Sequence, residues 1–95
     1  MELRDLQDAL GRTYGDRDRA RGRDGTFRWL TEEVGELAKA LRGSDRANLE
    51  HEFGDVLAWL LSLANVEGVD LAAAVERFLG ACPRCGASPC GCPVA

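Results

Sequence analysis

Two groups of carboxylates have spacing that suits chemistry. Glu32, Glu33 and Glu36 form an E-E-x-x-E run, and Glu52 and Asp55 form an E-x-x-D run after a short break. A helix turns about 100° per residue, so the first three acids fall within one arc of about 100° and the second two lie about 60° apart. Each stretch therefore gathers acid on one side. Carboxylates crowded in this way repel one another, and a hard divalent cation relieves the repulsion. Mg2+ is the first candidate, because it takes one or two carboxylates, keeps several waters and shares phosphate oxygens. The bland alternative is a solvated acidic helix surface, which a single E-x-x-E would favour because Glu is a good helix former. Two groupings at matched distance from one turn favour a metal site.

A second concentration of charge precedes the first. Arg12, Arg17, Arg19, Arg21, Arg23 and Arg28 alternate with Asp16, Asp18, Asp24 and with Gly15, Gly22 and Gly25. The glycine content predicts a polar connector from Arg12 to Arg28 with no firm helix. Any one arginine there reads best as solvated or paired at the surface. Together, Arg17, Arg19, Arg21 and Arg23 form a run able to hold the polyphosphate of a ligand whose metal the carboxylates hold, since guanidinium matches phosphate oxygens bidentately.

The third constellation is sulfur. Cys82 and Cys85 form C-x-x-C, Cys90 and Cys92 form C-x-C, and these are all the cysteines in the chain. Four thiolates suffice for a tetrahedral Zn2+ site, and Gly86, Pro89 and Gly91 permit tight wrapping. With no secretion signal in view, metal ligation outranks disulfides. Soft sulfur for Zn2+ and hard oxygen for Mg2+ are chemically separate sites.

Helices must position these groups. Leu3, Leu6, Leu10 and Tyr14 recur at intervals of three and four, predicting a helix over 3–14 that Gly15 ends. Leu30, Val34, Leu37 and Leu41 predict a second, from Thr26 or Phe27 to Leu41, and Arg42 to Asp45 reads as a break. A third is expected after an N-cap at Ser44, running to about Asn65 with an apolar band of Leu49, Phe53, Val56, Leu57, Leu60, Leu61 and Ala64. Asp70 reads as the N-cap of a fourth, carrying Leu71, Ala74, Val75 and Phe78 and ended by Gly80. If the second and third fold back as an antiparallel hairpin, both acid groups stand roughly 10 to 15 Å from the turn and face one cleft. The expectation is an all-α fold: a hairpin within a small four-helix bundle over 1–80, and a cysteine-rich tail over 81–95.

Composition narrows the function classes. The apolar content is mainly Leu, Ala and Val, which suits helices, and a chain of 95 residues buries only a modest core. Leu57 to Leu63 is apolar nearly all round, which favours a bundle interior or a subunit interface. No run approaches eighteen apolar residues and the N-terminus is charged, so neither a membrane span nor a signal peptide is expected, and the cytoplasm is the default compartment. A formal charge of -4 argues against bulk nucleic-acid binding. There is no G-x-x-x-x-G-K-[ST] loop and no Ser/His/Asp arrangement. His51 reads as a surface residue beside Glu50 and Glu52, and Phe27 and Trp29 as packing residues or the lining of a base pocket.

The stretch Thr31-Glu32-Glu33-Val34-Gly35-Glu36-Leu37, with Glu52-Phe53-Gly54-Asp55-Val56, resembles the paired signature of the MazG-like nucleoside triphosphate pyrophosphohydrolases, within the wider all-alpha NTP pyrophosphatase group. The likeness extends over about residues 3 to 79, through Leu63-Ala64-Asn65 and Val69-Asp70-Leu71, and the tail resembles C-terminal extensions of small MazG-like proteins. The resemblance implies Glu33, Glu36, Glu52 and Asp55 as Mg2+ ligands, with Glu32 as an outer-shell or water-orienting group. It implies conversion of an NTP or dNTP to the monophosphate and pyrophosphate by a homodimer or homotetramer. The sequence departs from the family pattern after Phe78, where Arg77 and Arg84 are the only Lys or Arg residues beyond Arg46. The Arg17 to Arg23 run, from the same chain or a partner subunit, is the expected substitute. Two other readings stay open: a non-catalytic helical interaction protein whose zinc tail binds protein or nucleic acid, and a related enzyme acting on another pyrophosphate compound such as phosphoribosyl-ATP.

Overall fold

The computed structural model describes residues 1–94, which form helices and turns with no strand among them. Helix α1 spans Leu3–Leu41, α2 spans Arg46–Glu67 and α3 spans Leu71–Val75, with one 3-10 turn at Glu76–Phe78. The described residues thus hold three α-helices where the apolar pattern predicts four.

The difference lies in the arginine-rich stretch. The expected connector from Arg12 to Arg28 is helical, Gly15 does not end a helix, and the first two predicted helices are one element bent at Gly22. Asp16 and Arg19 pair at 2.6 Å, and Asp18 and Arg21 at 2.9 Å, each one turn apart, so the charges that suggested a solvated loop staple the helix instead. Only Gly22 leaves helical geometry, at φ 81° and ψ 179°, a left-handed region that a side chain resists. The bend therefore has a single residue as its cause.

Beyond the bend, α1 turns back along α2 as the expected antiparallel hairpin. Arg23 pairs with Glu67, and Trp29 stacks on Trp59 with ring centres 5.7 Å apart and planes 12° apart. The turn falls at 42–45, but Asp45, not Ser44, caps α2: its carboxylate accepts the Asn48 amide at 3.1 Å. Gly68, at φ 69°, ends α2 in the left-handed conformation, from which its amide donates to the last carbonyls. Asp70 caps α3 as expected, accepting the Ala73 amide at 3.4 Å. That helix is a single turn and stops at Val75, short of Gly80.

A polar node fastens the start of α1 to the far end of the hairpin. The buried Gln7 side chain donates to Asn65 Oδ1 at 3.1 Å and to the Val69 carbonyl at 2.7 Å, and accepts the Leu71 amide at 3.1 Å. Asn65 Nδ2 in turn donates to the Gln7 carbonyl at 3.1 Å. Arg4 grips Asp70 alongside, through Nη2 at 2.7 Å and Nε at 3.2 Å. Buried polar groups are satisfied here by one another, which ties three segments together without apolar bulk.

Apolar burial is small by comparison. Among the described residues the buried apolar side chains are Ala40, Leu61 and Ala64, while Phe53 is 55% exposed and Leu41 61% exposed. No single helix is long and apolar enough to cross a membrane.

Candidate active site

The hairpin brings the two acidic runs together. Glu32, Glu33 and Glu36 stand on the second half of α1, two turns before its end, and Glu52 and Asp55 stand on the facing stretch of α2. Glu33 records the convergence: burial raises its pKa above the ordinary carboxylate value, and the charges of Asp55, Glu52, Glu36 and Glu32 raise it further. Glu33 is thus the place where the charges of the other four carboxylates are felt.

The tightest set is His51, Glu52 and Asp55, each offering a ligand atom within 4.8 Å of the others. His51 Nε2 lies 3.2 Å from Asp55 Oδ2, one helical turn away, so His51 is part of the cluster and not a bystander beside Glu50. The sequence reading missed it, although an i,i+4 relation to an acid was the available signal. One oxygen of Glu52, Oε2, is buried and has no hydrogen-bond partner. A buried carboxylate oxygen left orphaned is costly unless something positive meets it. The donor set is all hard oxygen apart from one imidazole, and it fits a hard divalent cation.

A cleft beside the cluster is lined by Tyr14, Arg17, Arg21, Asp55, Trp59 and Ser62. The structure divides the four arginines that the sequence groups together. Arg17 and Arg21 line this cleft with Asp55. Arg19 turns to Asp16, and Arg23 to Glu67, where its Nη2 donates to Oε2 at 2.9 Å. The Arg23 hydrogen bond lowers the pKa of Glu67.

Arg21 is held from both sides of the α1 bend. Its Nη1 donates to Asp18 Oδ1 at 2.9 Å, before Gly22, and reaches Thr26 Oγ1 at 3.5 Å, after it. Asp18 and Thr26 are both buried, and the second oxygen of Asp18 is buried without a partner. Trp59, which the sequence reading did not single out, lies under Arg21 and against Trp29. The register that brings Glu33 to Asp55 also brings Trp29 to Trp59. Phe27 faces a different hollow, with Arg23, Leu63 and Glu67.

The sulfur constellation is a separate site. Cys82, Cys85, Cys90 and Cys92 each offer Sγ within 4.8 Å of the others. The backbone amides of Ala87 and Gly91 lower the Cys85 thiol to about 6, while the neighbouring sulfurs, Cys90 first, push Cys92 up to about 11.

The family model of the MazG nucleotide pyrophosphohydrolase domain matches residues 21–81. The chain belongs to that family. The MazG match covers both acidic runs and the whole hairpin, and it ends immediately before Cys82, so the four-cysteine loop lies outside it. It also begins at Arg21, leaving most of the first half of α1 outside, including Tyr14 and Arg17 of the cleft. No curated protein gives a significant match to the chain.

Proposed function

We propose that this MazG-family chain is a Mg2+-dependent pyrophosphohydrolase that cleaves an NTP or dNTP to the monophosphate and pyrophosphate. The observation that carries the reading is the meeting of five carboxylates from two helices, with a buried, unpartnered Glu52 oxygen among them and two arginines in the adjoining cleft. Glu33, Glu36, Glu52 and Asp55 would hold the metal, and Glu32 orients the attacking water or an outer ligand. When bound, Mg2+ supplies charge neutralisation for the phosphate oxygens and lowers the pKa of a coordinated water.

The remaining work falls to this chain's own side chains. Arg17 and Arg21 stand beside Asp55 and neutralise charge on the leaving pyrophosphate by guanidinium-to-phosphate hydrogen bonds. Arg19 and Arg23 are not among the residues that line the cleft, pair with Asp16 and Glu67, and take no part in this reading. His51 holds one oxygen of Asp55 and so orients that carboxylate. Tyr14 and Trp59 line the cleft with Asp55 and are the aromatic groups placed for contact with a base, with Trp29 stacked behind Trp59.

The reading includes self-association in a cytoplasmic setting. Exposed Phe53, Leu41 and Val34 are apolar surface that a second copy covers in a homodimer or homotetramer. Light scattering behind size exclusion measures this directly, and a monomer at micromolar concentration would contradict it.

Product analysis tests the chemistry. A panel of NTPs and dNTPs incubated with and without Mg2+, resolved by phosphorus NMR, is expected to yield monophosphate and pyrophosphate only with the metal. Release of inorganic phosphate instead would overturn the reading. Turnover of phosphoribosyl-ATP alone would move the same site to a different pyrophosphate substrate. Absence of any turnover by folded protein would favour the non-catalytic helical module.

A further inference from the structure

The family match ends at residue 81, so pyrophosphohydrolase chemistry gives no reason for the tail that follows. From 81 to 94 the chain has turns and no regular element, and nearly all of it is exposed. Such a segment has no apolar core to hold its shape, yet its sulfurs gather at one point. Cys82 and Cys92 Sγ are 3.8 Å apart and Cys85 and Cys90 Sγ are 4.0 Å apart. A tetrahedron of sulfurs with a metal-to-sulfur bond of about 2.3 Å has edges of about 3.8 Å. The observed spacing is that of ligands around a shared ion.

The backbone supports the same geometry. The Gly86 amide donates to the Cys82 carbonyl at 2.7 Å and the Cys82 amide to the Ala87 carbonyl at 3.0 Å, closing a tight turn that brings Cys85 back toward Cys82. Gly86 takes φ 75° in that turn, where a side chain would be strained. Two further amides point at sulfur: Gly91 N donates to Cys85 Sγ and Cys92 N to Cys90 Sγ, both at 3.3 Å. Outer-shell donors of this kind orient thiolate ligands and spread their charge.

Charge balance identifies two further participants. Four thiolates around Zn2+ leave a net charge of about -2, which needs cations nearby. Arg77 and Arg84, the only Lys or Arg residues beyond Arg46, both border the hollow formed with Cys82, Cys90 and Cys92. Arg77 also lies 4.4 Å over the Phe78 ring, which keeps it at the junction of the 3-10 turn and the tail.

We propose that Cys82, Cys85, Cys90 and Cys92 bind one Zn2+ in a closed four-thiolate site that orders the tail against the Glu76–Phe78 turn, with Arg77 and Arg84 balancing its charge. Four protein ligands leave no open position, so the ion is structural and takes no part in hydrolysis. The assignment stands independently of the carboxylate site.

Elemental analysis of the full chain, purified under reducing conditions without chelator, is expected to give one zinc per chain. Replacement by Co2+ is expected to give thiolate-to-cobalt charge-transfer bands and the intense visible bands of a tetrahedral ion. Cys82→Ser with Cys85→Ser is expected to remove both signals while the far-ultraviolet circular dichroism of α1 and α2 stays, since neither helix contains a cysteine. Zinc-free protein that gives no cobalt charge transfer on reconstitution would overturn the site, as would alkylation showing the four sulfurs in two disulfides. Arg77→Ala and Arg84→Ala are each expected to speed zinc release to a competing chelator. Release at the parent rate from both would remove the charge-balancing role.

Discussion

The Arg21 guanidinium carbon lies 4.8 Å from the centre of the Trp59 ring. Arg21 runs past Gly25 to get there: a Cβ at position 25 would stand 2.7 Å from Arg21 Cγ, too close for the present path. Gly25→Ala should therefore separate stability from function. Alanine is the better helix former by up to about 1 kcal/mol, while the displaced Arg21 loses its seat on Trp59. The expected outcome is a melting temperature within a few degrees of the parent, altered tryptophan fluorescence and a raised KM. An unchanged KM with altered fluorescence would show that Arg21 does not meet the substrate.

The carboxylate cluster should cost stability when no cation is present. Glu36→Gln and Asp55→Asn are expected to abolish Mg2+-dependent turnover with the helices intact. In chelator each should melt at or above the parent temperature, because one charge leaves a mutually repelling group. Glu33→Gln follows the same sign. Its folded-state pKa is raised, so its cost is absent below the ordinary carboxylate range and fully present above the raised value; the gain in melting temperature should appear at neutral pH and vanish in acid. Thermal melts with and without Mg2+ read both effects, and loss of stability in chelator for all three would contradict them.

The two long-range ion pairs predict the opposite pH sign. Hydrogen bonds from Arg4 and Arg23 lower the pKa of Asp70 and Glu67 respectively. Their contribution is present above the unfolded carboxylate values and is lost as pH falls through the lowered folded values. Arg4→Met and Arg23→Met should flatten the acid side of the melting profile, and added salt should do so in part, because these groups are exposed. Parallel profiles for parent and variants would remove both pairs from the stability account.

Gln7 is the most exacting structural position. Leucine is close in size, but Gln7→Leu strands Asn65, the Val69 carbonyl and the Leu71 amide together. Unsatisfied buried groups cost about 1 to 3 kcal/mol each, so an equilibrium urea midpoint should shift by a loss of about 3 kcal/mol. A loss near zero would mean that water replaces the side chain.

The helical character, the break at 42–45, the two acidic faces and the four clustered sulfurs were legible in the chain itself. Each rests on local rules: the 3.6-residue period, turn chemistry and ligand spacing operate over a few residues. Glu33 and Asp55 could be expected to face each other because they stand at similar distances on either side of one short turn. Tertiary structure decided what depends on partners far along the chain. The glycine-rich arginine stretch is helix and not loop: Arg21 seats on Trp59 and Arg23 on Glu67, both of α2, while Gly22 alone absorbs the bend. Arg17 and Arg21 reach the cleft while Glu67, forty-four residues away in sequence, takes Arg23. An arginine's type and spacing say that it will meet an anion; which anion it meets is set by the packing of α1 on α2.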